Sequence, residues 1–147
     1  MKETINKLEL LLKTGTDYIT KLSESELTYK PIPAKWSKIE ILGHLIDSGI
    51  NNLQRFTEIQ FEARPYKIRK YKQDALVNAN QYQKANTREI LGFWVSINHR
   101  ISDIIKQQTE QTLKYTIEME DGKTADLRFL IKDYVDHLEH HLNQIAE

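Results

Sequence analysis

Apolar residues recur every three or four positions in four separate segments of the chain. The first segment covers residues 4–22, the second about 37–61, the third begins near Asn86, and the fourth occupies the C-terminal part. Because that spacing places the apolar residues on one face of an α-helix, the pattern predicts four amphipathic helices. Gly15 lies on the apolar face of the first, where it either marks a close approach of another element or is simply tolerated.

The second predicted helix has a well-defined start. Ser37 precedes Glu40 by three residues, which is the spacing of a capping box, where each side chain accepts a backbone N–H of the other residue. Trp36 and Ile41 occupy the two positions of a hydrophobic staple around that cap. The sequence therefore predicts a helix that begins just after Ser37 and ends near Phe61.

Capping residues also mark the last two predicted helices. Asn86 stands three residues before Glu89 at the start of the third apolar pattern. For the fourth helix we predict Thr124 as the N-cap, with Asp126 placed favourably against the positive end of the helix dipole. Each assignment gives the first turn an acceptor for a backbone N–H that would otherwise have no partner.

Two long connections separate these helices. The first connection covers residues 62–85, where basic side chains alternate with tyrosines over 66–72 and a weak helical pattern follows over 74–82. It forms either a lid or anion-attracting rim over a site, or a solvated crossover. Residues 113–120 alternate apolar and polar positions as a strand does, but no second alternating run is present to pair with them, so we predict an extended crossover. The pattern as a whole predicts an all-α four-helix bundle with two long crossover connections.

Length and charge limit the classes of function. With 147 residues the chain is long enough for one core and short for two, so we expect residues 1–147 to form a single domain. The 21 Lys and Arg residues balance the 21 Asp and Glu residues, which argues against nucleic-acid or anionic-membrane binding. The N-terminus is charged and no run approaches the ~20 apolar residues of a membrane span, so we predict a cytoplasmic protein.

The candidate chemistry rests on histidine, because the chain has five histidines and no cysteine. Any metal site must therefore use His, carboxylate and water. His137 and His141 lie four residues apart in the last predicted helix, which stacks both imidazoles on one face where a single ion can bind them. They fall within or at the edge of the apolar stripe, where an unpaired imidazole costs roughly 1–3 kcal/mol. A metal ion would satisfy both.

The other histidines occupy different faces. His140 lies about 100° further round the last helix and points away from the pair. His99 lies opposite the apolar stripe of the third helix, so we expect it at the surface. His44, on the second helix, shares a flank with Ser48 and Arg55 and is expected to face a polar groove between helices. Together with the C-terminal pair it would supply three neutral imidazoles, as catalytic divalent centres with open positions do. Ordinary core or surface histidines remain the alternative.

The motifs around these histidines are similar to those of a known family. The segment Trp36–Ser48, which contains His44-Leu45-Ile46-Asp47-Ser48, together with His137–Ile145 resembles the DinB-like superfamily of metal-binding four-helix bundles, including its YfiT-related group. The resemblance spans essentially the whole chain in helix order and length. It implies that His44, His137 and His141 bind one divalent metal ion, most often zinc or nickel. Asp47 matches the family's Asp, which either supports the site or lies at the surface.

The resemblance implies a small-molecule substrate, since relatives transfer a low-molecular-weight thiol such as bacillithiol or mycothiol. Because the chain has no cysteine, such a thiol would have to be a cosubstrate. Our leading hypothesis is metal-dependent transfer of that thiol to a small electrophile, with no catalytic residue assigned beyond the metal ligands. The alternatives are a metal-dependent hydrolase or isomerase, and a non-catalytic metal- or ligand-binding bundle, as a monomer or a homodimer.

Overall fold

Four long helices make up most of the fold. The computed structural model describes all residues, 1–147. Its helices are α1 (Lys2–Lys21), α2 (Glu24–Thr28), α3 (Lys38–Glu58), α4 (Gln73–Ala79), α5 (Thr87–Lys106) and α6 (Leu127–Ala146). Its strands are β1 (Tyr66–Lys67), β2 (Thr116–Glu118) and β3 (Thr124–Asp126), and 3₁₀ turns cover Tyr82–Lys84 and Thr112–Lys114. The long helices α1, α3, α5 and α6 are the four predicted ones, so the predicted bundle with two long connections is confirmed.

The long helices enclose one apolar core. Helices α1 and α3 each pack against both α5 and α6. The core contains 29 buried apolar residues, with Trp94 among the largest that are fully buried. Gly15 marks a close approach within it, because a Cβ there would lie 3.0 Å from both Leu142 Cδ2 and Trp94 Cη2. The apolar stripe predicted for the first helix therefore includes a glycine at a close approach, where an added methyl group would press on Leu142 and Trp94.

The start of α3 follows the predicted capping box. The Ser37 side chain accepts a hydrogen bond from the Glu40 backbone N–H at 3.3 Å, and Glu40 Oε2 accepts one from the Ser37 N–H at 2.9 Å. Lys30 Nζ lies 3.0 Å from the same carboxylate and neutralises it within the fold. The start of α5 is also as predicted, with the Asn86 side chain accepting from the backbone N–H three residues on at 3.0 Å.

The predicted cap of the last helix was wrong by two residues. The N-cap of α6 is Asp126, whose Oδ1 accepts a hydrogen bond from the Phe129 N–H at 2.8 Å. Thr124 belongs to β3 instead. The physical reason is strand pairing, because the backbone around Thr124 is bonded to β2 and the helix can begin only where that pairing ends.

The prediction of an unpaired crossover at 113–120 was also wrong. Strand β2 pairs in parallel with β1 and antiparallel with β3, giving a small sheet in the order β1-β2-β3. Gly122 has φ 81° in the turn between β2 and β3, a conformation that favours glycine. The partner strands have only two and three residues, too short to show an alternating pattern of their own. The sheet ties the two long connections to each other.

Two smaller features complete the fold. Helix α2 was not predicted, although Ser23 and Glu26 form a capping box there too. The weak helical pattern at 74–82 corresponds to α4 and the start of the following 3₁₀ turn. None of the helices is both long and apolar enough to span a membrane.

Candidate metal centre

The three predicted ligand histidines meet between α3 and α6. The Nε2 atom of His137 lies 3.1 Å from Nε2 of His44 and 3.1 Å from Nε2 of His141. The three rings stand nearly perpendicular to one another, at interplanar angles of 72°, 75° and 74°. One ring nitrogen from each can be chosen so that all lie within 4.8 Å of one another. The edges of three imidazoles therefore converge on one point.

The spacing of these nitrogens fits a bound cation. Zinc binds imidazole nitrogens at about 2.0–2.1 Å, so tetrahedral geometry places two of them about 3.3 Å apart and octahedral geometry about 3 Å apart. The two observed separations of 3.1 Å lie between these values. Hydrogen bonds among the rings are a poorer solution, because His137 Nε2 faces two neighbours and carries only one proton or one lone pair. The donor set thus fits a divalent ion such as zinc or nickel.

Electrostatics keep the three imidazoles neutral. Burial, with repulsion from the neighbouring histidines, lowers the pKa of His44 to about 3 and that of His137 to about 4. Burial also lowers the pKa of His141. At neutral pH each ring therefore has a lone pair on one nitrogen, which is the state that binds a metal ion.

Gln144 orients one of the rings, a role that sequence reasoning missed. Its Oε1 lies 2.8 Å from His141 Nδ1, so an Nδ1–H can donate to it and leave the Nε2 lone pair facing the centre. The Gln144 amide nitrogen lies 3.4 Å from His140 Nε2. The available signal was the spacing, because a side chain three residues after a ligand lies on the same helix face.

His44 lies deeper than its sequence position indicated. We expected it to face a polar groove, but its exposed fraction is 0%. Helix α6 covers that flank of α3 with His137 and His141, and the Trp36 ring lies 4.9 Å from the His44 ring. His44 Nδ1 is buried without a hydrogen-bond partner, so the ring depends on its Nε2 side for a polar contact. A wheel of one helix cannot show what a neighbouring helix covers.

The two remaining histidines stay outside the centre. His99 is exposed on α5, as predicted. His140 is exposed on α6, where its ring contacts that of His141 but its Nε2 faces Gln144. Neither belongs to the group of converging nitrogens.

Comparison with known proteins places the chain in a family. The model of the DinB superfamily matches residues 8–145. The chain belongs to the DinB superfamily. A sequence search of curated proteins found no match.

Solved structures of other bundles agree with this assignment at the level of the fold. One of them is YfiT from Bacillus subtilis, which is described as a probable metal-dependent hydrolase with an unusual four-helix bundle topology. It superposes on this chain with a TM-score of 0.88 at 23% sequence identity. The match covers 99% of this chain and 83% of YfiT. A mycothiol-dependent maleylpyruvate isomerase superposes with a TM-score of 0.74 at 11% identity, covering 98% of this chain. This member of the DinB superfamily spans 60% of the length of that isomerase.

Asp47 follows His44 by one helical turn in this DinB bundle. Its side chain is buried rather than at the surface, and it does not belong to the group of converging histidines. Its exposed fraction is 3%, and its Oδ1 accepts hydrogen bonds from the Tyr82 hydroxyl at 2.7 Å and from Asn80 Nδ2 at 3.1 Å. Burial raises the pKa of this carboxyl, while the two hydrogen bonds oppose that rise. The Tyr82 ring also covers Gly43, where a Cβ would lie 2.1 Å from its carbons. These contacts attach the segment after α4 to the turn of α3 that carries His44.

A cavity of about 240 Å³ opens beside the histidines and is lined in part by His137. Arg55 from α3 lines it on another side and also borders a larger polar groove of about 580 Å³. Residues 66–72 of the first long connection contribute side chains to both. That segment therefore borders a space next to the centre, as the rim interpretation expects.

Proposed function

We propose that His44, His137 and His141 bind one divalent metal ion, zinc or nickel. The observation that carries this proposal is the convergence of three neutral imidazoles, in which Nε2 of His137 lies 3.1 Å from Nε2 of both His44 and His141. Three imidazole ligands leave one or more coordination positions open for a substrate. The Nδ1 contact of His141 with Gln144 supports the proposal, because metal-bound histidines commonly donate their second N–H to such an acceptor.

We further propose that the protein is an enzyme that transfers a low-molecular-weight thiol to a small electrophile. A divalent ion held there would bind the thiol as its thiolate and so supply a nucleophile at neutral pH. In the reaction the sulfur–hydrogen bond breaks, a sulfur–carbon bond forms, the leaving group departs with its electron pair and the proton passes to solvent. The mycothiol dependence described for the similar isomerase agrees with such a cosubstrate.

The residues around the centre favour a thiol over water as the nucleophile. The cluster contains only histidines, so no carboxylate among the converging groups can act as a general base on a metal-bound water. Asp133 lines the neighbouring cavity, and Asp47 accepts from Tyr82 and Asn80 through its Oδ1, but neither belongs to the cluster. A thiol needs no such base once it is bound as a thiolate. The chain lacks cysteine and so offers no competing thiol.

Metal-dependent hydrolysis is the second candidate. Its support is the likeness to YfiT, described as a probable metal-dependent hydrolase. The two reactions can be separated because hydrolysis consumes water and leaves the thiol concentration unchanged. A homodimer and a cytoplasmic location remain predictions.

A metal and thiol assay on the purified protein tests both steps. We expect about one zinc or nickel ion per chain in the wild type and in His140→Ala, and none in His137→Ala or His141→Ala. The loaded wild type should consume a thiol with a chromogenic electrophile above the free-metal rate, and His141→Ala should not. Equal metal loss from His140→Ala would contradict the ligand assignment. A rate at the free-metal background with the metal retained would contradict thiol transfer.

A further inference from the structure

Arg55 is a half-buried cation in the wall of the cavity beside the metal centre. One of its terminal nitrogens donates to Asn52 Oδ1 at 3.4 Å, the other donates to the Arg69 carbonyl oxygen, and the guanidinium lies 5.6 Å from the centre of the Tyr71 ring. Both acceptors are neutral. The protein thus holds this side chain in place without a carboxylate in direct contact with it.

No carboxylate of the protein forms an ion pair with Arg55. A guanidinium has five N–H donors, and the two hydrogen bonds use two of them, which leaves three free. Arginine in a concave site commonly binds carboxylate through two parallel N–H groups. An oriented guanidinium with free N–H donors and no carboxylate in contact is therefore able to bind an acidic partner from outside the chain. Asp133, which lines the same cavity, acts on it only through space.

The charges around the cavity favour an acidic ligand. Arg55 and Lys70 line it, against Asp133 as its single acidic lining residue. Lys70 lies 3.9 Å from Glu120, a weak contact at the surface, whereas Arg55 is held at the wall. His137 lines the same cavity, so one ligand can contact both the metal centre and Arg55.

We propose that the substrate bound in this cavity carries a carboxylate that pairs with the Arg55 guanidinium. The inference rests on the proposed function, since it identifies the acidic group of the thiol, or of the molecule it attacks, as the feature that is recognised. Arg55 is then a specificity-determining residue on α3, remote in sequence from the histidines of α6.

Matched acid and amide ligands test this assignment. The first pair is 3-mercaptopropionate and 3-mercaptopropanamide, titrated by calorimetry into zinc-loaded protein. The second is glutarate and glutaramide, which contain no thiol, titrated by NMR into metal-free protein. The proteins are wild type, Arg55→Gln, Arg55→Lys and the control Arg100→Gln, which removes the same charge from the exposed surface of α5.

We expect the wild type to bind the acid of each pair at least about tenfold more tightly than the amide. Arg55→Gln should lose that preference while keeping its affinity for the neutral amide, Arg55→Lys should keep only part of it, and Arg100→Gln should keep all of it. No preference in the wild type, or a full preference in Arg55→Gln or Arg55→Lys, would overturn the proposal. If neither thiol binds but glutarate shows the Arg55-dependent preference, the carboxylate site stands and thiol transfer fails.

Discussion

Each histidine of the cluster owes its chemistry to the side chains that surround it. His44 has no exposed surface, and its polar contact comes from another imidazole, that of His137, rather than from a carboxylate. A proton on any one of the rings would face the other two at short range in a poorly solvated site. The arrangement therefore favours neutral rings without a metal ion and a divalent cation when one is available.

That charge state predicts a pH dependence for the stability of the metal-free protein. The folded-state pKa values of His44, about 3, and His137, about 4, lie below the usual 6.5. Between the folded-state and unfolded-state pKa values, the unfolded chain binds more protons than the folded one. The free energy of unfolding therefore falls as the pH drops from 6.5. The stability that the neutral histidines contribute is fully lost below about pH 3.

Urea unfolding at pH 7 and pH 5 measures the effect. The midpoint should be lower at pH 5 in the wild type and in the exposed control His99→Gln, and the difference should shrink in His44→Gln. Equal wild-type midpoints at the two pH values would show that the three imidazoles are not held neutral by the fold.

The hydrogen bond from His141 Nδ1 to Gln144 predicts a second effect on single residues. Gln144→Ala should weaken zinc binding about 10–100-fold, because the imidazole loses the acceptor that orients it and raises its basicity. Asn143→Ala, one position earlier on the exposed face of α6, should bind zinc as the wild type does. Competition with a chromogenic chelator gives both constants. Matching constants for the two variants would mean that Gln144 does not orient the ligand.

At the scale of elements, the position of His44 depends on where α3 begins. Ser37→Ala removes the acceptor of the Glu40 N–H and should cost about 0.5–2 kcal/mol of unfolding free energy. Ser23→Ala removes the same contact from α2, which has five residues and an exposed cap, so we expect a smaller loss. Urea midpoints of the two variants provide the comparison. A Ser37→Ala midpoint equal to that of the wild type would contradict the cap assignment.

The contact of Tyr82 with α3 gives another prediction at this scale. Gly43→Ala would place a Cβ 2.1 Å from the Tyr82 ring, so the ring must move and its hydrogen bond to Asp47 must lengthen. We expect a loss of about 1–3 kcal/mol of unfolding free energy, as for other overpacked sites.

Gly92→Ala is the matched control, because a Cβ there meets nothing within 4 Å and adds helix propensity on α5. It should leave stability unchanged or raise it by up to about 1 kcal/mol. Thermal unfolding measures the stability of both variants. A Gly43→Ala protein as stable as Gly92→Ala would contradict the packing of Tyr82 on α3.

For the whole molecule, the sequence was most informative where structure is local. The helices have long apolar stripes, and the caps at Ser37 and Asn86 depend on residues three positions away. The spacing of His137 and His141 placed them on one helix face for the same reason. Each of these features involves only neighbours along one helix, so the sequence pattern contained the information.

Features that depend on contacts between distant segments were not predictable in this way. The burial of His44 is caused by α6, and Asp47 is bonded to residues of the first long connection. Strands β1 and β3 are recognisable only through their pairing with β2. The resemblance to a family strengthened the link from His44 to the C-terminal pair, because the periodicity of its own helix placed His44 in a polar groove.

The proposed metal ion would connect two distant parts of the molecule, because His44 lies on α3 and the other two ligands lie on α6. An ion that binds the folded chain alone stabilises it by RT ln(1 + [L]/Kd), about 2.7 kcal/mol at a hundred times Kd. We therefore expect zinc to raise the urea midpoint of the wild type and of His99→Ala. In His44→Ala, zinc should raise the urea midpoint much less than in the wild type. The variant's own stability does not affect this comparison, because zinc-loaded and metal-free samples of the same protein are compared. An undiminished increase in His44→Ala would mean that zinc binds on α6 alone and does not connect it to α3.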